Sequence, residues 1–347
     1  MSNNNPPKIL CVGISTMDTI ATLDNYPNAD EKVRSKTLQH FGGGNAANTA
    51  VAMARLGRSD VHLLTAIGND ANGDSILKEL KEEKVGMEYV ERYEGNSPWS
   101  YIMVVGDTRT IIHQPATRDL SIDFVKHHLP LKDFHAVHFD CRHPEAAVYL
   151  SKQCVDFNIP YSVDVERPRD GLQELMKNAS VIICNSDYCS KALDQPLSND
   201  EEKNIERFKQ MISIQAPNAS LAIMTRGSSG SYLLNLSNDN DDEHLEAEFS
   251  EPKVEKRCST LWCDILRQDS EITDTTGAGD AFEGAFLSTV WNIKKSGLDW
   301  NNKTLSHALR IATRVASLKI ARTGARSGLP RQDDTFIMEE FKSIENP

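Results

Sequence analysis

The sequence lacks the features of a membrane-spanning or secreted protein. No stretch of its 347 residues approaches the roughly 20 consecutive apolar residues that span a bilayer. The segment 1–7 is polar and Asn-rich, without the basic-then-apolar pattern of a signal peptide. The seven cysteines are an odd number and lie scattered, which does not suit a disulfide framework. These absences predict a cytoplasmic protein with reduced thiols and no membrane partner.

The sequence is also poor in positive charge. Its 38 Lys and Arg are outnumbered by 50 Asp and Glu, giving a formal net charge of −12. This balance argues against a nucleic-acid partner or an anionic membrane surface. It does not exclude a small anionic ligand, because local basic groups decide such binding. A hydrophobic content of 39% is ordinary for a protein with a substantial core.

Metal-binding motifs are scarce. The cysteines that lie closest together, Cys184 with Cys189 and Cys258 with Cys263, lack the two-residue spacing of a zinc ribbon. Three histidines fall within segment 135–143, but such groups are more often structural than metal-ligating. The sequence therefore predicts no structural metal site.

The familiar phosphate-binding loops are missing as well, although a glycine-rich stretch is present. Residues 42–48 read Gly-Gly-Gly-Asn-Ala-Ala-Asn, without the Gly-x-Gly-x-x-Gly spacing or a following Lys-Ser or Lys-Thr. The stretch predicts a tight turn that opens a helix and lets a ligand approach closely. Asn45 and Asn48 would share one face, where their amides suit vicinal hydroxyls. Alternatively, Asn45 is a helix N-cap and Asn48 is merely exposed.

A second glycine-containing run carries the most specific chemistry. Residues 274–280 read Asp-Thr-Thr-Gly-Ala-Gly-Asp and lead into a helix of small and apolar residues. The free N–H groups and the dipole of a helix start form a site for a phosphate or a developing anion. Asp280 would lie beside that anion, where a carboxylate is best explained as a general base for an attacking hydroxyl. The simpler alternative is that Asp280 caps the helix.

Strands alternate with helices along most of the chain, which predicts an α/β fold with a doubly wound, mostly parallel sheet. We expect one domain over about residues 6–340. Strand-rich segments at about 18–41 and 98–113, the second a hairpin around 106–107, predict a small β-sheet lid. Segment 238–243 reads as a solvated loop insertion. The predicted strands are 9–13, 61–68, 136–140, 161–165, 181–184 and 221–225, and the predicted helices are 45–56, 73–84, 144–157, 171–178 and 201–215.

Charged residues follow several of the predicted strands. Asp18 lies just past the first strand, at the sheet edge where open α/β sheets bind ligands, and its carboxylate could accept two sugar hydroxyls. It could equally be a solvated loop residue. Arg142 and Arg167 follow later strands, where a guanidinium could neutralise a phosphate. Each could instead be a surface or ion-paired arginine.

With both glycine motifs in hand, the chain resembles the pfkB/ribokinase-like family of carbohydrate kinases. Two motifs are similar to the two signatures of that family: the stretch 42–48 followed by Arg55-Leu56-Gly57, and the run 274–280. They occur along the chain in the same order as in the family. Within the family the chain looks most like ketohexokinases and related ketose kinases, through stretches 9–18, 24–27, 108–112 and 163–170. Segment 322–330 also resembles sulfofructose kinases and other sugar kinases.

The resemblance implies transfer of the γ-phosphoryl group of ATP, with Mg²⁺, to a hydroxyl of a fructose-like ketose. It assigns Asp280 as the base and the amides of Gly277, Ala278 and Gly279 as the anion hole. Asp18, Gly43, Gly44, Asn45 and Asn48 would hold the sugar, and Arg109 would reach in from the lid. The resemblance places ATP near a helix at 308–319 and near Thr225, Gly227, Ser228, Gly230 and Thr276, and a monovalent cation such as K⁺ near Asp274, Thr276, Gly324 and Gly328.

One departure from the family pattern concerns the Asn-x-x-Glu motif that many members use to handle magnesium and phosphate. Asn185 is present, but Tyr188 stands in the position of the Glu. Asp187 could act in its place through water, although the ketohexokinase-like branch lacks the motif too.

Two other functions stay open at this point. A ribokinase or nucleoside kinase of the same fold is one, and a nucleoside would need an aromatic platform such as Trp99, Tyr101 or Phe41. A non-catalytic sugar or nucleotide sensor is the other. The exposed strand edges of the lid also make a homodimer through the lid sheet plausible.

Overall fold

The computed structural model describes residues 5–106, 108–237, 254–257, 260–263 and 272–345. The strands are β1 (Lys8–Val12), β2 (Thr16–Thr22), β3 (Thr37–Gly43), β4 (Asp60–Gly68), β5 (Gly86–Tyr93), β6 (Trp99–Val105), β7 (Thr108–Gln114), β8 (Ala136–Phe139), β9 (Tyr161–Val165), β10 (Val181–Asn185), β11 (Leu221–Thr225), β12 (Ser231–Asn235), β13 (Val254–Arg257) and β14 (Thr260–Cys263). The helices are α1 (Asn45–Arg55), α2 (Ala71–Glu82), α3 (Ile122–His128), α4 (Pro144–Asp156), α5 (Leu172–Lys177), α6 (Ser186–Ala192), α7 (Glu201–Gln215), α8 (Ala278–Lys295), α9 (Asn302–Lys319) and α10 (Thr335–Glu345).

The larger sheet confirms the predicted doubly wound architecture. Its strand order is β13-β14-β12-β11-β10-β9-β8-β1-β4-β5, and the strands from β11 to β5 pair in parallel. Strands such as β1 and β10 are continuous apolar runs because helices cover both of their faces. One face packs against α1, α8 and α9, and the other packs against α4, α5 and α7. The carboxyl ends of the parallel strands therefore meet at one edge.

The smaller sheet is the predicted lid. Its order is β3-β2-β6-β7, with β2 and β6 parallel and the two outer pairs antiparallel. Strand β7 is exposed along its whole length, as befits an edge strand. The chain enters β2 directly from the loop after β1, and β3 leads straight into α1. The lid thus stands over the carboxyl edge of the larger sheet.

Several boundaries differ from the sequence-based expectation. Helix α2 begins at Ala71 rather than Gly73, because the side chain of Asp70 caps it by accepting from Gly73 N at 2.8 Å. Helix α9 begins at Asn302 rather than 308, where Asn301 and Thr304 form a capping box. Helix α10 ends at Glu345 and carries the fold past the expected boundary at 340.

Some elements were not predicted at all. The strand β5 and the antiparallel edge strands β12, β13 and β14 extend the larger sheet beyond the expected six strands. Strand β5 carries charged residues among its apolar ones because it is an edge strand with a solvated face. The expected loop insertion at 238–243 lies outside the described residues. Over the described ranges, none of the helices combines the length and the apolarity needed to cross a bilayer.

Candidate active site

The run 274–280 opens α8, as the sequence indicates. Gly277 is the N-cap with a φ of 74°, and a Cβ there would come within 2.7 Å of Ala325 Cβ. Both the left-handed backbone and the close packing therefore require glycine. Gly279 is different, because an added Cβ would meet nothing within 4 Å. Packing does not explain its lack of a side chain, which leaves the start of α8 open to a ligand.

The amides at this helix start do not all remain free. Ala278 N donates to the carbonyl of Thr275 at 3.2 Å, closing a turn before the helix. The expected anion hole of three amides is therefore wrong for Ala278. The N–H groups of Gly277 and Gly279 donate to no acceptor in the part of the chain that the structure describes. With the helix dipole, these two amides still form a site for an anion.

Asp280 joins the two glycine motifs. Its Oδ2 accepts a hydrogen bond from Nδ2 of Asn48 at 2.7 Å, although the residues are 232 positions apart. Asn48 lies in the first turn of α1 and is buried. The alternative in which Asn48 is merely exposed is therefore wrong. The hydrogen bond fixes the orientation of the Asp280 carboxylate beside the amides of Gly277 and Gly279.

The surroundings of Asp280 change its acidity. Burial raises the pKa of its carboxyl group, and the nearby charges of Glu166 and Asp140 add to the increase. The hydrogen bond from Asn48 and the charge of Arg326 oppose it, and the resulting pKa is about 7. A carboxylate whose pKa lies near neutrality can accept a proton effectively at physiological pH. Asp280 has the acidity expected of a general base.

Arg326 is a site residue that the sequence did not single out. Its guanidinium is 4% exposed and donates to Asn48 Oδ1 at 2.8 Å, to Gly43 O at 2.9 Å and to Glu79 Oε1 at 3.1 Å. Because Arg326 donates to Oδ1 of Asn48, the Nδ2 atom of Asn48 is the one that faces Asp280. Nothing in the sequence distinguished it from Arg322 in the same Gly-containing segment, because the partners of Arg326 lie far away along the chain.

Asp18 and Gly43 face each other across the lid. A Cβ on Gly43 would lie 2.2 Å from Asp18 Oδ2, so only glycine leaves room for that carboxylate. Asp18 Oδ1 accepts from Thr16 Oγ1 at 3.1 Å. Burial raises the pKa of Asp18, although hydrogen bonds from Thr16 and Ser100 oppose the rise. Asp18 is therefore a half-buried acceptor on the lid rather than a solvated loop residue.

Asn45 is the first residue of α1, not its N-cap. Gly44 holds the cap position with a φ of 92°, and an added Cβ would lie 2.4 Å from Ile14 O. The orphan N–H of Ala46 is satisfied from another strand, by Asp140 Oδ2 at 3.1 Å. The side chain of Asn45 is then free of capping, and its Nδ2 donates to Asp164 at 3.3 Å.

Asp164 belongs to a buried acidic pair beneath the site. It ends β9 next to Glu283 of α8, and burial raises the pKa of both carboxyl groups well above their usual range. The charges of Asp164 and Asp280 add to the rise at Glu283, and that of Asp280 adds to the rise at Asp164. His138 lies 3.9 Å from Glu283, and burial lowers the pKa of its imidazole. The described residues contain no group of three or more acidic, His or Cys side chains that could hold a metal ion.

The expected nucleotide residues lie at the same sheet edge. Thr225 ends β11, and the following turn contains Gly227, the exposed Ser228 and Gly230, whose φ is 80°. Glu201, at the start of α7, accepts a hydrogen bond from Arg226 at 3.0 Å and holds the base of this turn.

Position 188 cannot serve a ligand. Tyr188 is 5% exposed, and its hydroxyl donates to Gln215 Oε1 at 2.6 Å. A residue there points into the core, away from the sheet edge. Asn185 caps α6 by accepting from Tyr188 N at 2.7 Å, and its amide donates to Glu166 O at 3.1 Å. Asp187 is exposed.

Arg109 connects the lid to the anion site. Its Nη1 donates to Thr276 Oγ1 at 2.7 Å and lies 3.8 Å from Asp274 Oδ1. Arg109 is therefore close to the start of α8, as expected of a lid residue that reaches the transferring group.

The expected monovalent-cation site already contains a cation. The carboxylate of Asp274 accepts from Thr276 N at 2.9 Å and from Gly324 N at 2.8 Å. Lys319 is fully buried and donates to Asp274 O at 2.6 Å. Because the side chains of Lys319 and Arg109 both face Asp274, the described residues do not fit an additional K⁺. Gly328 is also close, since an added Cβ would lie 2.5 Å from Lys319 O.

Comparison with known proteins agrees with this geometry. Residues 6–332 match the pfkB family carbohydrate kinases. The chain belongs to the pfkB family. It is a carbohydrate kinase, a phosphotransferase whose acceptor is an alcohol group.

The relatives are named as kinases of different sugars. The chain is 26% identical to a ribokinase of Lactococcus lactis over 341 residues, covering 97% of this chain and 98% of the relative. It is 24% identical to the ketohexokinase of Mus musculus, covering 91% and 97% of the two chains. Among solved structures, an Arabidopsis thaliana ribokinase complexed with ribose and ATP superposes with a TM-score of 0.73 at 19% identity, covering 98% of this chain and 99% of that one. The last likeness establishes the fold of this pfkB kinase.

Proposed function

We propose that this pfkB kinase transfers the γ-phosphoryl group of Mg·ATP to a hydroxyl of a ketose such as fructose, with Asp280 as the general base. The observation that carries the proposal is the 2.7 Å hydrogen bond between Asn48 and Asp280. It brings a carboxylate with a raised pKa, hydroxyl-binding amides and an anion-binding helix start into one place. A sensor would have no need of a base at that position.

The proposed chemistry is proton removal coupled to phosphoryl transfer. Asp280 accepts the proton of the sugar hydroxyl while the oxygen of that hydroxyl forms a bond to the γ-phosphorus of ATP. At the same time the bond between the γ-phosphorus and the bridging oxygen breaks, and ADP leaves. The amides of Gly277 and Gly279 and the guanidinium of Arg109 stabilise the charge on the transferring group. Asp18, Asn45 and Asn48 hold the acceptor against Asp280, with Gly43 and Gly44 giving it room.

ATP enters as the magnesium complex, and the metal is part of that substrate. We place the nucleotide at the turn formed by Gly227, Ser228 and Gly230, with Thr225 at its base and the α8 start beyond it. This assignment is supported by the position of the turn at the same sheet edge as Asp280. The similarity to the ribokinase complexed with ribose and ATP is consistent with it.

Ribose is the second candidate acceptor, because similarity to ribokinases is as strong as similarity to the ketohexokinase. A nucleoside fits less well. In the lid register, Phe41 pairs with Asp18 and shares its face, whereas Trp99 and Tyr101 alternate with Ser100 and point to the opposite face. Two of the three aromatic side chains that could support a nucleobase therefore do not face the site.

The first test is removal of the base. Asp280→Asn keeps the size of residue 280 and one acceptor oxygen for Asn48, but it cannot accept the proton. We expect kcat to fall by at least about 10²-fold with little change in sugar affinity. The measurement is ADP release with fructose, ribose, sulfofructose, adenosine and inositol, together with calorimetric titration of the best acceptor. Near-normal turnover by this variant would exclude Asp280 as the base, and ATP binding without turnover of any acceptor would favour a sensor.

A further inference from the structure

Three arginines converge beside the acceptor end of the site. Strands β8 and β9 are parallel neighbours, with Phe139 opposite Val163. The two strand ends stay in contact, since Cys141 Sγ, just past β8, donates to Asp164 O within β9 at 3.1 Å. Arg142 and Arg167 follow these strands, and Arg169 comes two residues after Arg167. Their side chains therefore leave the sheet at the edge where the ligands bind.

The backbone around Arg142 is held in an unfavourable conformation. Cys141 and His143, its two neighbours, have φ values of 59° and 54°, in the left-handed region that non-glycine residues rarely adopt. Asp140 holds the turn by accepting from Arg142 N at 2.9 Å, and Asp119 lies 3.0 Å from His143 Nδ1. Such strain persists only where the surroundings enforce it, and it is concentrated at ligand-binding positions.

The strained turn carries the guanidinium of Arg142, which has no partner in the part of the protein that the structure describes. The Arg142 side chain is half-buried, yet it makes no hydrogen bond or ion pair with any residue in the described ranges. The start of α4 follows immediately at Pro144, and the positive end of its dipole points to the same place. The fold thus places at this turn a guanidinium that is unpaired among the residues described, with the carboxylates of Asp140 and Asp119 in its neighbourhood.

The other two arginines are only partly neutralised. Arg167 Nε and Arg169 Nη2 lie 3.8 and 3.6 Å from the same carboxylate oxygen of Glu166. Arg169 Nη2 is buried and has no hydrogen-bond acceptor among the described residues. Burial lowers the pKa of Arg169, and the nearby charges of Arg142 and Arg167 lower it further, whereas those of Glu166 and Asp140 oppose the decrease. One carboxylate is shared by two of these cations.

The strand ends that carry the cluster contact the acceptor side of the site. Asp140, two residues before Arg142, accepts from Ala46 N at 3.1 Å, and Asp164, three residues before Arg167, accepts from Asn45 Nδ2 at 3.3 Å. His113 of β7 lies in the lid row of Asp18 and Ser100, and its Nδ1 is 3.2 Å from Ser100 Oγ. Burial lowers the pKa of His113, and the charges of Arg142 and Arg167 lower it further. The two guanidiniums are therefore near the part of the lid that carries Asp18. Arg109, which reaches the start of α8, lies at the far end of the same strand.

We propose that the acceptor is an anionic sugar, one whose phosphate, sulfonate or carboxylate group is bound by Arg142, Arg167 and Arg169. This inference rests on the proposed kinase function and narrows its substrate class. Elsewhere in the acceptor pocket, the anionic group of the sugar would lie near the carboxylates of Asp18 and Asp280, which would repel it. The arginine cluster gives that anion charge-assisted hydrogen bonds from planar donors.

The test compares matched pairs of acceptors. Initial rates of ADP release are measured with fructose and fructose 6-phosphate, with ribose and ribose 5-phosphate, and with sulfofructose. We expect kcat/KM to be about 10- to 100-fold higher for at least one anionic sugar than for its neutral partner, the range that hydrogen bonds to charged groups supply. The gain should be mainly in KM, because the anion is remote from the reacting hydroxyl.

Substitution of the cluster then locates the effect. Arg142→Gln should lower kcat/KM for the anionic sugar by about 10-fold or more, leave the neutral sugar within about 3-fold, and Arg142→Lys should retain part of the preference. The matched control is Arg92→Gln, which removes a guanidinium on β5 that pairs with Asp74 at 3.0 Å, away from the site. This control should leave kcat/KM unchanged for both the anionic and the neutral sugar. Thermal unfolding of each variant checks that the fold is retained.

Two results would overturn the inference while leaving the kinase function intact. One is equal or better turnover of every neutral sugar, with no effect of Arg142→Gln. The other is that Arg142→Gln lowers kcat/KM equally for the anionic sugar and its neutral partner and also raises the KM for ATP. That result would show that the guanidinium of Arg142 binds ATP rather than the sugar. If no acceptor were turned over, the kinase proposal itself would fail. Calorimetric titration of fructose 6-phosphate into the original chain and the Arg142→Gln protein would then decide separately whether the anion site exists.

Discussion

At the residue scale, the proposed chemistry depends on the carboxylate of Asp280, whose pKa is raised by some neighbours and lowered by others. Burial raises the pKa of Asp280 to about 7, and the hydrogen bond from Asn48 limits the rise. Arg326 acts on Asp280 in two ways, because it orients the Asn48 amide and because its charge opposes the rise of the pKa. A positioned base near neutral pKa is the result.

This arrangement predicts the pH dependence of the reaction. Asp280 must be deprotonated to accept a proton, so kcat/KM for the acceptor should rise as pH increases to about 7. Asn48→Ala removes a donor that stabilises the charged form, so the same transition should move to higher pH, whatever happens to the absolute rate. Initial rates from pH 5 to 9 measure both effects. A flat profile below pH 7 would contradict the assignment.

The same raised pKa has a consequence for stability. The folded-state pKa of Asp280 is above its value of 3.8 in an unfolded chain, so the carboxyl group destabilises the fold increasingly as pH rises from about 4 to 7. Asp280→Asn removes this penalty. Its Tm should exceed that of the original chain by more at pH 8 than at pH 5, as measured by differential scanning calorimetry. An increase that is the same at both values of pH would contradict the raised pKa.

At the element scale, the end of α9 takes over the position expected for K⁺. Lys319, its last residue, donates to Asp274 O, and burial lowers the pKa of this ammonium to about 8, opposed by the charges of Asp274 and Asp280. The amine stays charged below that pH and supplies the positive charge inside the protein. The loop after α9 contributes Gly324 and Arg326 to the same region.

The internal cation predicts how activity responds to salt. The original chain should turn over at the same rate in potassium, sodium and tetramethylammonium buffers of equal ionic strength. Lys319→Met, which keeps the length of the side chain but loses its charge, should be at least about 10-fold less active and partly restored by potassium alone. Thermal unfolding controls for the fold. Potassium activation of the original chain would show that the ammonium does not replace the ion.

Prediction of the elements from sequence succeeded where a local pattern was strong. Strands β1 and β10 were found because buried parallel strands are continuous apolar runs, and α1 because glycines precede its small residues. The strand β5 and the antiparallel edge from β12 to β13 were missed. As an edge strand, β5 has a solvated side, so its apolar pattern is diluted and its identity depends on a partner strand.

At the scale of the whole molecule, the lid sheet leaves an apolar outer face. Leu38 of β3 and Ile112 of β7 are 53% and 55% exposed, and the strand register places them on the face opposite Asp18. Homodimerisation through the lid stays a prediction, and this face is where it would bury apolar area. Its edge strand β7 is also unpaired on one side among the described strands.

A charge introduced on that face should therefore change the assembly. Ile112→Lys is expected to convert a dimer to a monomer, because an ammonium cannot be buried there without a partner. Ile214→Lys is the matched control, since Ile214 is 65% exposed on α7, away from the lid. Light scattering after size-exclusion chromatography measures the mass. A mass that is unchanged by Ile112→Lys would contradict dimerisation through this face.

The sequence by itself determined the fold class, the lid, and the two glycine motifs with Asp18, Asn48 and Asp280. The fold class, the lid and the glycine turns follow from local rules, since apolar periodicity and the conformational freedom of glycine act over a few residues. The choice among the roles possible for Asp18, Asn48 and Asp280 came from the resemblance to the family. Tertiary structure alone decided that Asn48 contacts Asp280, that Arg326 is a site residue, that Ala278 N is taken, and that Lys319 fills the cation position. Hydrogen bonds and charges act between residues brought together only by folding, so no local pattern announces them.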